Sequence, residues 1–256
     1  MTTTRKNGSL FTNIQNNIAT IEFGHPASNS FPSELLDRLA NELNLLSNNN
    51  YISVIILKSE GEKAFCAGAS FSELMAITNL EEGKQFFAGF ANVINAMRTC
   101  SKLIVGRVQG KVVGGGVGLV AACDYVFATE KASVKLSELS IGIGPFVIEP
   151  VVKRKIGLAA LSELTLDATS WQNAYWAKDK GLYAKVFENK KELDNEVEIF
   201  VQKLASYNPV ALLEMKKVLW ENTDNWNELL AERAAISGEL VLSEFTKKAL
   251  AKFSKK

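Results

Sequence analysis

Two stretches of small residues are the parts of this chain best suited to chemistry. One is Lys63-Ala64-Phe65-Cys66-Ala67-Gly68-Ala69-Ser70, the other Gly110-Lys111-Val112-Val113-Gly114-Gly115-Gly116-Val117-Gly118. Glycine and alanine let a backbone approach a ligand closely, so that main-chain N–H groups can serve as donors. A reaction that builds negative charge on a carbonyl oxygen, such as enolate formation from a thioester, is served by two fixed donors of this kind. Each lowers the barrier by about 3–4 kcal/mol. A helix N-terminus adds free N–H groups and a partial positive charge. A dinucleotide fingerprint would need glycine where Leu119 stands, and no Lys-Ser or Lys-Thr pair follows the glycines as a phosphate loop requires. On the residues alone, close helix–strand packing is an equal alternative to a ligand role.

The elements that must hold these segments alternate. Leu10–Gln15 and Ile18–Phe23 read as strands joined by the turn-prone pair Asn16–Asn17. Pro32 opens a helix with Leu35, Leu36, Leu39, Leu43 and Leu46 at helical spacing. The β-branched run 53–57 predicts a buried strand, the segment 60–70 a loop, and 80–97 a helix. The order then recurs: a strand over 102–108, a glycine turn over 110–118 running into an apolar helix that ends near Cys123, and short strands over 125–128 and 133–136. Strand, glycine loop and helix occurring twice predict stacked ββα units and an α/β fold. Beyond Gly157 the spacing turns helical over 158–166, 170–178, 193–206, 209–220 and 226–252. This tail carries more apolar residues than lone surface helices need, which predicts packing on the main domain or on another subunit. The division falls near Glu196: a core over 1–195 and a helical oligomerisation region over 196–256.

Composition narrows the class. The 256 residues carry 29 Lys and Arg against 28 Asp and Glu, so no strong field favours nucleic acid or a membrane surface. Cys66, Cys100 and Cys123 are scattered, without metal-site spacing, and are expected to be buried thiols. The sole histidine, His25, has no partner for a metal, and no metal is expected. The opening MTTTRKNGSLF has no apolar stretch, and the longest apolar run, 112–123, is too short to span a bilayer; the expectation is a soluble, cytoplasmic protein. Trp171, Trp176, Trp220 and Trp226 read as core or subunit contacts.

Both glycine segments resemble the two signatures of the enoyl-CoA hydratase/isomerase (crotonase) superfamily. The first is similar to K-A-F-x-A-G-x-D, the second to N-G-x-x-x-G-G-G-x-E, and Asp124 matches the aspartate closing the second signature's helix. The resemblance runs from about Leu10 to the C-terminal helices. It implies a crotonase-like spiral of ββα units with a C-terminal helical trimerisation region, forming a homotrimer or a dimer of trimers. It implies an acyl-CoA thioester as substrate, with coenzyme A part of that substrate and no separate cofactor. It places an oxyanion hole on the N–H groups of Ala69 and Gly115, the CoA moiety along Ala64, Cys66 and Gly68, and further substrate contacts at Ala67, Ser70, Gly114 and Gly118. Ser70 stands where the first signature has aspartate and Gln109 where the second has asparagine; neither change removes a backbone donor.

Gly118 is the departure that bears on the reaction, because the hydratases of the family carry glutamate there. The second family glutamate lies 14 residues beyond the aspartate, and counting from Asp124 leads to Glu138. Water addition is best served by two groups, one activating water and one delivering a proton. A 1,3-proton shift needs one carboxylate, which takes a proton from the α-carbon and returns it to the γ-carbon. The reading therefore favours 3-enoyl-CoA to 2-enoyl-CoA isomerisation with Glu138 as catalytic base, and expects Gly118 to leave open room. Phe146, Val147 and Ile141 are expected to form an apolar pocket that raises the Glu138 pKa. Glu149 is the one further carboxylate positioned to enter the site. The alternatives are 2-enoyl-CoA hydration, another enolate reaction such as decarboxylation or C–C cleavage, and a non-catalytic acyl-CoA-binding protein.

Overall fold

Residues of β3 (Val54–Ser59) alternate between two buried faces. Val54 and Ile56 point to one side of a sheet, Ile55 and Leu57 to the other, and all are nearly or fully inaccessible. A strand covered on both faces reads as a continuous apolar run, as the sequence predicts. In the computed structural model, which describes residues 7–253, this strand lies inside a six-stranded sheet. Readings that fall on residues 1–6 and 254–256 lie outside the described residues.

The chain enters through a hairpin, β1 (Ser9–Gln15) and β2 (Ile18–Gly24), whose turn residues Asn16 and Asn17 have φ of 51° and 62°. Both central residues at positive φ match the twist of the flanking strands, and asparagine tolerates that conformation. Helix α1 (Ser33–Ser47) follows and buries its leucine stripe. Three ββα units come next. The first is β3, β4 (Ala64–Cys66), α2 (Phe71–Ala76) and α3 (Leu80–Thr99). The second is β5 (Leu103–Val108), β6 (Lys111–Val113) and α4 (Gly115–Ala122). The third is β7 (Tyr125–Thr129), β8 (Val134–Lys135), a 3-10 turn (Glu138–Ile141) and α5 (Glu149–Leu166). Then come α6 (Ala174–Asp179), β9 (Lys185–Phe187), α7 (Lys190–Ala205), α8 (Pro209–Leu219), α9 (Trp226–Leu240) and α10 (Glu244–Phe253).

Among the described residues the strands form two sheets. One has the order β1-β2-β3-β5-β7-β9, parallel except for the hairpin; the other is a parallel β4-β6-β8. Each unit thus gives one strand to each sheet before its helix. Because β4, β6 and β8 are neighbours running the same way, the three segments that leave their carboxyl ends emerge side by side. Those segments are 67–70, 114–118 and 136–138.

Several expectations shift. The loop predicted over 60–70 contains β4, and the glycine turn over 110–118 contains β6, whose Val112 is fully buried. Both strands are three residues long, too short to show a period. The single helix expected over 226–252 breaks after Leu240, because Ser243 caps a new one, its Oγ accepting from the Thr246 N–H at 3.2 Å. Trp171 precedes α6 rather than lying in it, and Lys111 and Lys135 stand over its ring at 4.9 and 5.6 Å. Gly157, at φ 78°, interrupts α5. The division expected at Glu196 falls inside α7, whose Leu193, Val197 and Val201 cover Ile18, Val54, Ile56, Val105 and Phe127 on the outer face of the large sheet. Cys66, Cys100 and Cys123 are free and buried. No helix among the described residues is long and apolar enough to cross a membrane.

Candidate active site

The first glycine segment spends most of its N–H groups on the fold. Ala67 donates to Ser28 O at 3.2 Å, Gly68 to Cys66 Sγ at 3.3 Å, and Ser70 to Phe31 O at 2.9 Å. The Ala69 N–H has no partner among the described residues. Gly68 holds φ 89°, a left-handed conformation that glycine adopts without strain, and this turns the chain so that position 68 lies against the second segment. A Cβ there would sit 3.5 Å from the Gly115 nitrogen.

In the second segment Gly114 donates to Lys135 O and Val117 to Gly114 O, while the N–H of Gly115 has no partner among the described residues. Gly115 is the first residue of α4, where intrahelical acceptors do not exist and the helix dipole adds positive potential. The backbones touch because side chains are absent. A Cβ on Gly115 would lie 2.9 Å from a Phe90 ring carbon, and one on Gly116 would lie 2.8 Å from Cys66 Cβ.

Glu138 opens the 3-10 turn after β8 and faces Gly114. Although the residue as a whole is half-buried, its Oε2 is enclosed and lacks a hydrogen-bond partner among the described residues. Burial therefore dominates its titration and pushes the pKa from 4.5 up to about 7, against a smaller opposing effect of its own N–H and that of Ser137. A buried polar atom without a partner is costly, and a catalytic role is one reason a fold retains it.

These groups share one cavity of about 140 Å³. Ala67, Gly68, Ala69, Gly114, Gly115 and Glu138 line it together, and Ile141, Phe146 and Val147 supply apolar wall as predicted. Glu138 is the one carboxylate among the lining residues. The arrangement can hold an acyl group between two unpartnered N–H donors and a carboxylate of raised pKa, and so can move a proton next to a carbonyl whose oxygen those donors reach.

Four of the expected substrate contacts lie off the cavity. Ala64 sits in β4 with its carbonyl engaged by Asn29 Nδ2 at 2.9 Å and Gln109 Nε2 at 3.2 Å. The Cys66 side chain is packed under Gly116, with its thiol pushed up to about 12 by burial. Ser70 is the N-cap of α2, its Oγ accepting from the Glu73 N–H, so serine does there what aspartate would. The room expected at Gly118 does not exist: a Cβ there would overlap Ile148, 2.8 Å from its Cβ. Glu149 also stays outside, at the start of α5, 3.7 Å from both Lys153 and Arg233.

Three supporting arrangements were not read from the sequence. Buried Gln109 donates to Ser59 Oγ as well as to Ala64 O and accepts from Arg107, which Asp194 of α7 holds at 2.7 Å; this ties the end of β5 to the start of the first segment. Asp124, just past α4, accepts from the Ile104 N–H, Lys216 Nζ and Trp220 Nε1 at 2.7, 2.7 and 2.8 Å, anchoring α8. Helix α10 lies on the 3-10 turn, with Phe245 and Thr246 against Gly142 and Leu250 packed with Leu74, Phe86 and Ile143. Such pairings join residues far apart in sequence; the sequence marked Gln109 and Asp124 as signature positions but not the residues they meet.

Known proteins agree with this architecture. The family described as Enoyl-CoA hydratase/isomerase matches residues 13–256. The chain is 31% identical over 192 residues, 69% of its length and 67% of the relative's, to the Delta(3,5)-Delta(2,4)-dienoyl-CoA isomerase of Arabidopsis thaliana. It is 27% identical to the short-chain-enoyl-CoA hydratase of Clostridium acetobutylicum, covering 93% and 92% of the two chains. The solved enoyl-CoA hydratase from Bacillus halodurans superposes with a TM-score of 0.88 at 22% identity, over 95% of this chain and 99% of that one. The chain is an enzyme of the enoyl-CoA hydratase/isomerase family.

Proposed function

We propose that the protein isomerises a 3-enoyl-CoA to the conjugated 2-enoyl-CoA. The observation that carries this is the single carboxylate: Glu138 alone lines the cavity that Ala69 and Gly115 face, and Ile148 covers the position where a second would stand. The Glu138 carboxylate removes a proton from the α-carbon. The C–H electrons form a dienolate whose negative thioester oxygen accepts from the Ala69 and Gly115 N–H groups. The same carboxyl group then returns the proton to the γ-carbon, and the double bond comes to rest between the α- and β-carbons. No water or other reactant is consumed. A base with a pKa of about 7 fits a task that both takes and gives a proton near neutral pH.

The relatives include both a double-bond isomerase and a hydratase, so the reading rests on the geometry rather than on their names. Separate incubations with 3-enoyl-CoA and 2-enoyl-CoA, followed by absorbance of the conjugated thioester, test it. Absorbance is expected to rise with the first and to hold steady with the second; rapid loss with the second would replace isomerisation by hydration. We also propose a homo-oligomer, because Val210 and Val218 of α8 and Leu158 and Leu166 of α5 expose apolar surface that a second copy would cover. Light scattering would reveal a monomer if that is wrong.

A further inference from the structure

Ile148 belongs to two surfaces at once. It lies just before α5, 3% exposed, and its side chain fills the space beside Gly118 of α4, with Ile94 Cδ1 3.7 Å from where a Cβ on Gly118 would be. It also lines the cavity, which Gly118 does not. The isoleucine therefore stands between that turn of α4 and the space a ligand would occupy. Its backbone is fixed as well: the Glu149 N–H donates to Pro145 O at 2.8 Å and the Val152 N–H to Ile148 O at 3.0 Å, so the main chain at 148 cannot withdraw without unwinding the start of α5.

We propose that Ile148 is the residue that fixes the reaction type: it occupies the path by which a side chain at position 118 would reach the substrate, and so keeps the site to one carboxylate. This rests on the single-carboxylate reading above. Adding water to a 2-enoyl thioester requires a base that takes one proton from water as the water oxygen bonds to the β-carbon. The displaced π electrons go to the thioester oxygen, and Glu138 in its acid form supplies the proton at the α-carbon; solvent then returns the first proton to Glu138. In this site that base has no place to stand. Glycine at 118 is accordingly the complement of isoleucine at 148, and restoring a carboxylate at 118 alone gives it nowhere to go.

The test is a set of variants: G118E, I148G and G118E/I148G, assayed for conversion of 2-enoyl-CoA to 3-hydroxyacyl-CoA by loss of absorbance and by mass. Hydration by the double variant is expected to exceed that of either single variant by at least about a hundredfold, the low side of what one positioned base contributes. If G118E alone hydrates as fast as the double variant, or a folded double variant hydrates no faster than I148G, the proposal fails. A second measurement does not depend on turnover. G118A should lower the melting temperature in the native background and change it little in I148A; an equal loss in both would also overturn the proposal. If the native protein fails to move the double bond of 3-enoyl-CoA while this pairing holds, the isomerase reading falls and the exclusion by Ile148 stands.

Discussion

Gly114 and Glu138 meet so closely that a methyl group on the glycine would lie 3.1 Å from the carboxylate Oε1. The same glycine holds φ 56° and ψ −127°, the mirror image of extended backbone, where it turns β6 into α4. Two demands thus fall on one position: a conformation closed to side chains, and an open approach to the carboxylate. G114A is expected to cost about 1–3 kcal/mol of stability and to reduce isomerisation by more than that loss explains. Melting and steady-state rates on one preparation check it; a native rate from a destabilised variant would remove Gly114 from the approach.

The buried carboxylate makes stability depend on pH in a defined direction. Glu138 ionises near 4.5 in an unenclosed state and at about 7 in the fold. Between those values the unfolded chain binds fewer protons than the native one, so this group's contribution to stability falls as pH rises across that window. E138Q removes the titration. It should melt higher than the native protein above pH 7, with the advantage shrinking toward pH 4.5. A constant difference across the range would mean that the carboxyl group is not enclosed.

The same group governs the rate. As a base it works ionised, so kcat/KM should rise with a one-proton slope at acidic pH and level off above about 7. E138Q should lower the plateau by roughly 10²–10⁴-fold. A profile flat from acid to mildly alkaline pH would assign the proton transfer to another group.

The backbone parts of the site were legible through the resemblance of the two segments to the family signatures, since residue size alone left close helix–strand packing as an equal reading. Small residues at 67–69 and 114–115 mark where N–H groups can approach a ligand, and the structure brings those residues to one cavity with Glu138. Side-chain contacts followed the sequence less well. Cys66 and Ser70 lie within the motif yet serve the packing under α4 and the cap of α2. Gly118 signals a missing side chain, but only the fold reveals that Ile148, thirty residues later, has taken its volume. Spacing along one element can be read from a sequence; which residue of another element fills a gap is decided by tertiary packing.

The Asp124–Lys216 pair tests how the helical tail is held. Both side chains are almost wholly inaccessible, and the ammonium lies 2.7 Å from a carboxylate that also accepts from Ile104 and Trp220. K216M leaves the aspartate charge buried without its counter-ion and should cost about 3–5 kcal/mol. K216M combined with D124N should recover a substantial part of that loss. Chemical denaturation of the native protein, K216M, D124N and the double variant measures the coupling, and additive losses would mean that the pair is not a unit.

Gln109 is where a departure from the family signature meets the frame of the site. Its amide donates to Ser59 Oγ at 2.9 Å and to Ala64 O at 3.2 Å, its oxygen accepts from Arg107, and its own carbonyl accepts from Thr129 Oγ1. Through Ala64 it fixes the entry of the segment that carries the Ala69 donor. Q109A strands the buried Ser59 hydroxyl and removes one of the acceptors of the Arg107 guanidinium, which Asp194 still pairs, and should cost about 1–3 kcal/mol. Because a donor displaced by a fraction of an ångström stabilises an oxyanion less well, kcat should fall more than KM rises, while the pH midpoint set by Glu138 stays in place. A variant that loses stability but keeps kcat would make Gln109 a strut of the fold without influence on the donor it adjoins.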